Sequence, residues 1–184
     1  IYGKVILWDR FSGDSAQFLY ENNSPVKVIR FSHNGQYLAF GKQNGSMIIM
    51  DMNKNEVVEE ITRHKARIYD IDFSPDDQYI ASSSLDGTVQ LWKFNQFNEQ
   101  PYILKDHESW VLAIEFSPDG NYLVTSSNLE ERLLVWPVHS QNIAGQMCNF
   151  LNRNMTPSEW NTYVAEDIPF EKTCTEISKN TVEK

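Results

Sequence analysis

The sequence predicts an all-β fold: about three four-stranded units in tandem, followed by a short helical and extended tail. Three observations predict it. Four segments end alike, Lys4-Val-Ile-Leu-Trp8-Asp, Ser46-Met-Ile-Ile-Met50-Asp, Thr88-Val-Gln-Leu-Trp92-Lys and Arg132-Leu-Leu-Val-Trp136-Pro, with residues 8, 50, 92 and 136 separated by 42, 42 and 44. Phe31-Ser-His-Asn-Gly, Phe73-Ser-Pro-Asp-Asp and Phe116-Ser-Pro-Asp-Gly recur at 42 and 43, each followed by Gln36-Tyr-Leu-Ala, Gln78-Tyr-Ile-Ala or Asn121-Tyr-Leu-Val. Markers sharing one period imply one supersecondary unit repeated. Turn signals also recur every 8–12 residues or so, too often for helices of ordinary length.

Taken in order, the chain opens inside a fourth strand and then runs through repeats at about 11–52, 53–94 and 95–138. The central repeat is the clearest. Residues 57–61 read as a first strand and 68–73 as a second, mostly apolar one. Ser74-Pro75-Asp76-Asp77 is a turn with proline at its favoured second position. Residues 79–83 form a third strand, Asp86-Gly87 a hairpin turn and 89–92 a fourth strand. The period stops after Trp136-Pro137, leaving 139–184 as a tail of two short helices. Ile143, Met147, Phe150 and Leu151 fall at helical spacing over about 140–153. Thr156-Pro157-Ser158-Glu159 has capping-box spacing, and the helix it starts puts Trp160 and Tyr163 on one face. Pro169-Phe170 marks an extended strip. Phe150, Trp160, Tyr163 and Phe170 are the expected anchors laying the tail on the last repeat, worth ~1.5–3 kcal/mol each when fully buried.

Trp-Asp endings at this period, over residues 1–138, resemble the WD-repeat β-propeller, whose repeats each build a four-stranded blade. The resemblance implies a hydrogen-bond chain of His, Ser or Thr, Asp and Trp within a blade. The central repeat has His64, Ser82, Asp86 and Trp92. The third has His107, Thr125 and Trp136, with Glu130 in place of the Asp and one extra residue in the hairpin. The first has Asn22, Phe40, Asn44 and Met50, lacks the chain, and is expected to be held by packing and to be the softest. About 3.25 repeats are too few to close a propeller, so the expectation is the C-terminal piece of a longer one; the alternative is several copies completing a ring. In the tail, Arg153-Asn-Met-Thr156, Glu159-Trp160, Tyr163, Pro169-Phe170 and Thr173-Cys174 resemble the closing segment of bacterial multidomain WD-repeat proteins, among them STAND-type signalling NTPases. That likeness implies a sensor joined to an effector, with any nucleotide chemistry upstream.

Composition narrows the chemistry. Sixteen basic against 25 acidic side chains give a net charge of −9, which disfavours nucleic acid and anionic membrane surfaces as partners. No apolar run approaches the roughly 20 residues of a membrane span. With no secretory layout at the start and only Cys148 and Cys174, a cytoplasmic location is expected. There is no Gly-x-Ser-x-Gly elbow, phosphate-cradling loop or Cys-x-x-Cys, so no catalytic, cofactor-binding or metal-ligating residue is named and no enzyme activity is expected. His64 and His107 stand 43 apart, one repeat, and so read as one structural residue twice. Asp70, Asp72, Asp76 and Asp77 lack the spacing and the glycine of a calcium loop and read as turn and blade polarity. Cys174 reads as an idle thiol. What remains is recognition. The loops entering the inner strands offer Lys27, Arg67 and Trp110 as candidate partner-binding residues, two of them of hot-spot type, although Trp110 could instead cover its own blade. The implied partner is a protein, an upstream domain of the same chain or another copy. The function this supports is a non-catalytic interaction or sensing module; the alternatives are an active site at a central channel and a self-assembling scaffold.

Overall fold

The computed structural model describes residues 3–8, 16–139 and 156–158. Its strands fall in the first of two compact units, 1–136 and 137–184, with the last strand ending at the border. Strands β1 (Gly3–Trp8) and β2 (Ala16–Asn22) pair with each other. A four-stranded sheet follows in the order β3 (Val26–Phe31), β4 (Tyr37–Lys42), β5 (Ser46–Asp51), β6 (Glu56–Thr62). A second comprises β7 (Ile68–Phe73), β8 (Tyr79–Ser84), β9 (Val89–Lys93) and β10 (Tyr102–Leu104), and a three-stranded sheet comprises β11 (Val111–Phe116), β12 (Tyr122–Ser127) and β13 (Leu133–Pro137). The all-β expectation is met.

The sheets are offset from the sequence repeats by one strand. The strand that opens the central repeat, β6, does not pair with β7, which follows it. It closes the previous sheet, with Met47 opposite Ile61 and Ile49 opposite Glu59. The sheets therefore run over 26–62 and 68–104, not over 11–52 and 53–94. The cause is local. The link from β5 to β6 is a tight turn ending at Asn55, which holds a left-handed φ of 59°, a conformation that asparagine tolerates better than most residues. A period fixes the length of the unit; the turn chemistry decides which strands become hairpin partners.

Neighbouring sheets stack on both faces of the strands between them, which is why β5, Ser-Met-Ile-Ile-Met-Asp, is buried at every position. One cluster joins Ala39, Met47, Ile49 and Ile61 of the first four-stranded sheet to Ile68, Ile71, Phe73, Ile80 and Trp92 of the second. Another joins Val5 to Leu38, Phe40, Ile48 and Met50. The inner strands β3, β7 and β11 are tied by polar contacts. Arg30 Nε donates to the Ile71 carbonyl at 2.9 Å, while Asp70 and Asp72 accept from the amides of Ile114 at 3.1 Å and Phe116 at 2.8 Å. Asp76 accepts from the Ser74 hydroxyl at 2.6 Å within its own turn. Asp77, at φ 55° where the other two turns have Gly35 and Gly120, reaches back to the amides of His33 at 2.8 Å and Asn34 at 2.9 Å. Each of the four carboxylates thus bonds protein.

In the tail, Pro157 and Ser158 are helical and Thr156 precedes them outside the helix. The expected anchors Phe150, Trp160, Tyr163 and Phe170, and both cysteines, lie outside the described residues.

Candidate functional site

At one end of each inner strand, the loop that enters it meets the hairpin joining the second and third strands of a sheet. Two of these junctions are held by a histidine. His64 Nδ1 faces Asp86 at 3.0 Å and Nε2 faces the Ser82 hydroxyl at 2.9 Å; because the carboxylate can only accept, Nδ1 donates and Ser82 donates to Nε2. Asp86 also accepts from the Lys65 amide at 2.9 Å and the Thr88 hydroxyl at 2.7 Å, so one side chain pins both the entry loop and the hairpin. The fourth link expected here is missing. Trp92 Nε1 is buried and has no hydrogen-bond partner among the described residues. Trp92 serves this blade as packing only.

The irregular third repeat makes the chain in full. Glu130 meets His107 Nδ1 at 2.6 Å, His107 Nε2 meets Thr125 Oγ1 at 2.6 Å, and Trp136 Nε1 donates to Thr125 Oγ1 at 2.9 Å. Glu130 also takes the Glu108 amide at 2.8 Å, the counterpart of the Lys65 contact. The longer side chain and the extra hairpin residue offset each other. In the first four-stranded sheet, Asn44 keeps only the hairpin half of the role, accepting from the Ser46 hydroxyl at 2.7 Å. Phe40 fills the serine position as a fully buried ring, 4.8 Å from Tyr20.

These junctions make stability depend on acid. The Glu108 amide and the His107 ring lower the Glu130 carboxyl from 4.5 to about 2. Burial pushes the Asp86 carboxyl up, but the His64 and Thr88 hydrogen bonds outweigh it and hold the group well below the usual carboxylate range. A carboxylate whose value is depressed in the fold contributes stability that is present above its unfolded value and lost as pH falls through the folded one. Asp72, raised by burial, acts in the opposite sense. Urea midpoints should therefore be flat above about pH 5 and fall progressively toward pH 2. Glu130→Gln should remove part of that slope; an unchanged slope would place the acid sensitivity elsewhere.

Around the junctions the structure locates the candidate binding residues. The carbonyls of Pro25, Arg67 and Trp110 accept from the amides of Gln43 at 2.9 Å, Leu85 at 3.0 Å and Asn128 at 3.0 Å, so these three positions are equivalent around one rim. Lys27 is not their counterpart. It lies two residues further on, exposed on β3. Trp110 is 52% exposed and borders a depression of about 480 Å³ with Leu85, Gly87, Thr88, Lys105 and Ser109. Arg67 is half-buried, its guanidinium carbon 4.8 Å from the centre of the Tyr69 ring. Tyr69 and Lys105 escaped the sequence reading. Tyr69 could have been found from its outward place in the alternation of β7, whereas Lys105 carried no signal.

The WD40 family (WD domain, G-beta repeat) matches residues 55–93 and 98–136. Polyadenylation factor subunit 2 of Candida albicans is 28% identical over 98 residues, covering 53% of this chain and 18% of that protein. Human apoptotic protease-activating factor 1 is 30% identical over 83 residues, covering 45% of this chain and 7% of its own length. Rat jouberin is 31% identical over 103 residues, 50% of this chain and 10% of that protein. The chain thus spans less than a fifth of each of these relatives. Two WD40 repeats are thus matched inside an array of stacked antiparallel sheets, the arrangement expected of part of a WD-repeat β-propeller.

Proposed function

We propose that this chain is the non-catalytic recognition part of a larger cytoplasmic signalling protein, binding a protein partner at the rim and restraining an effector elsewhere on the same polypeptide. The observation that carries this reading is the rim itself: Trp110, Tyr69 and Arg67 stand on rigid strand ends, anchored by the histidine junctions. The likeness of 153–174 to the closing segment of STAND-type proteins supports the attachment to an effector, as does the similarity to a protease-activating factor. The experiment is deletion of residues 1–138 from the full-length protein. Effector output that no longer responds to its stimulus is the expected result, and an unchanged response would overturn the reading.

A second reading, self-assembly, is favoured by the two end sheets. Ile6 and Trp8 on one, and Leu133 and Val135 on the other, are exposed, Trp8 at 70% and Leu133 at 65%. The residues at the same repeat positions in the middle, Ile48, Met50, Val89 and Leu91, are buried. Sedimentation of the chain should reveal association that rises with concentration. A monomer that binds no hydrophobic dye would exclude it.

A further inference from the structure

We infer that the two Asn-Gly turns of the first four-stranded sheet, Asn34-Gly35 and Asn44-Gly45, are latent deamidation sites, shut while the sheet is folded and converted when it opens. The chemistry needs only water. The glycine amide nitrogen, its proton lost to solvent, attacks the asparagine Cγ; the carboxamide nitrogen leaves as ammonia and a succinimide ring closes. Water then opens the ring to aspartate, or to isoaspartate through the other carbonyl. Glycine favours the first step because no Cβ crowds the attacking nitrogen. Both asparagines are exposed, so water reaches them.

In the folded sheet both reacting groups are already engaged. The Gly35 amide donates to the Ser32 carbonyl at 3.0 Å and the Gly45 amide to the Lys42 carbonyl at 3.2 Å. Asn34 Oδ1 accepts from the Ser32 hydroxyl and the Gln36 amide, both at 2.8 Å, and Asn44 Oδ1 from the Ser46 hydroxyl at 2.7 Å and the Ser46 amide at 3.2 Å. Neither side chain can swing onto the next peptide until these bonds break. The turns differ in what surrounds them. Gly45 lies against the carbonyls of His64 and Ala66 in the following loop, whereas a Cβ on Gly35 would meet nothing within 4 Å. Asn44 is therefore released only when the first two sheets part, and Asn34 by a smaller opening that breaks its Asp77 contact.

The aspartate product fits the fold. Asp76 and Asp119 stand at the position of Asn34 in the later repeats, and Asp86 at that of Asn44. Asp76 Oδ1 takes the Ser74 hydroxyl at 2.6 Å and the Gln78 amide at 3.0 Å, and Asp86 Oδ1 takes the Thr88 hydroxyl at 2.7 Å and its amide at 3.0 Å, the same bonds that the asparagines make. Bonds of this kind lower the Asp119 carboxyl to about 2, so the turn favours the charged form. Isoaspartate inserts a methylene into the backbone and breaks the pattern. A copy that opens, reacts to aspartate and closes again keeps a charge it did not have before.

The test incubates the full chain in mildly alkaline buffer, with and without denaturing urea, and digests it with trypsin. Cleavage after Arg30, Lys42 and Lys54 puts the asparagines on separate peptides, 31–42 and 43–54, and mass spectrometry reads the gain from amide to acid. In urea both peptides should convert at similar rates. In native buffer both should convert at least about tenfold more slowly, Asn44 the slower of the two. Urea below the unfolding midpoint should speed Asn44 more steeply than Asn34. Asn44→Gln should remove the gain on peptide 43–54, and Asn34→Asp and Asn44→Asp should melt within about 3 °C of the parent. Native rates equal to those in urea, Asn34 proving the better protected, a gain that survives Asn44→Gln, aspartate variants that do not fold, or no conversion in urea would each overturn the inference.

Discussion

Trp92→Ala should lower the stability of the chain by about 3–5 kcal/mol, the range for removing a buried indole and leaving a cavity. Trp92 is 2% exposed and touches both four-stranded sheets, lying in one cluster with Ile49 and Ile61 of the first and Ile71 and Ile80 of the second. Its truncation therefore loosens a sheet and the stacking between sheets together. Because the indole N–H is already without a partner, no hydrogen bond is lost, and Trp92→Phe should recover much of the deficit. Met50→Ala, at the same repeat position in the sheet without a histidine junction, should cost about 2–4 kcal/mol. Urea titrations of the three variants check the order. Trp92→Phe as damaging as Trp92→Ala would mean that the N–H is bonded after all.

Gly45→Ala should be comparably severe, at about 2–5 kcal/mol, from left-handed backbone strain and from overpacking. Gly45 holds a φ of 86°, and a Cβ on it would stand 2.5 Å from the His64 carbonyl oxygen and 2.7 Å from that of Ala66. Both obstacles are backbone, so nothing flexible can move aside. Gly87 occupies the same hairpin position one repeat later at φ 82°, but there the nearest atom would be 3.5 Å away. Gly87→Ala should cost only the conformational part, about 1–3 kcal/mol. Thermal melts of the pair separate the two contributions: equal losses would mean that the close approach at Gly45 relaxes freely.

Much of this was legible in the sequence, and the parts that were not have physical reasons. The landmarks 8, 50, 92 and 136 give the strand content and the equivalence of His64 with His107 directly, because one supersecondary unit recurs at each period. The period points to the residues at the histidine junctions, but not to which bonds among them form: Trp136 donates to Thr125, and Trp92 Nε1 has no partner among the described residues. Whether Trp92 reaches Ser82 depends on side-chain placement, which residue types do not encode. Glu130 for Asp was a visible departure, yet its compensation by hairpin length can be judged only in three dimensions. At the rim, Arg67 and Trp110 follow from the period, while Lys27 was placed two residues out of step because the Pro25 loop has no aromatic or cationic residue to mark the register.

The one-strand offset between repeat and sheet also bears on how the array comes apart. Each link such as 63–67 leaves a sheet from its outer strand and enters the next at its inner strand, so the length of chain that one duplication copies is shared between two sheets. Withdrawing a single repeat would strip its neighbour of an edge, and unfolding of one unit is thereby coupled to unfolding of the next. An array built this way should melt with few intermediates. Under mechanical pulling it should release length in steps larger than one repeat, whereas unshared sheets would give way one at a time.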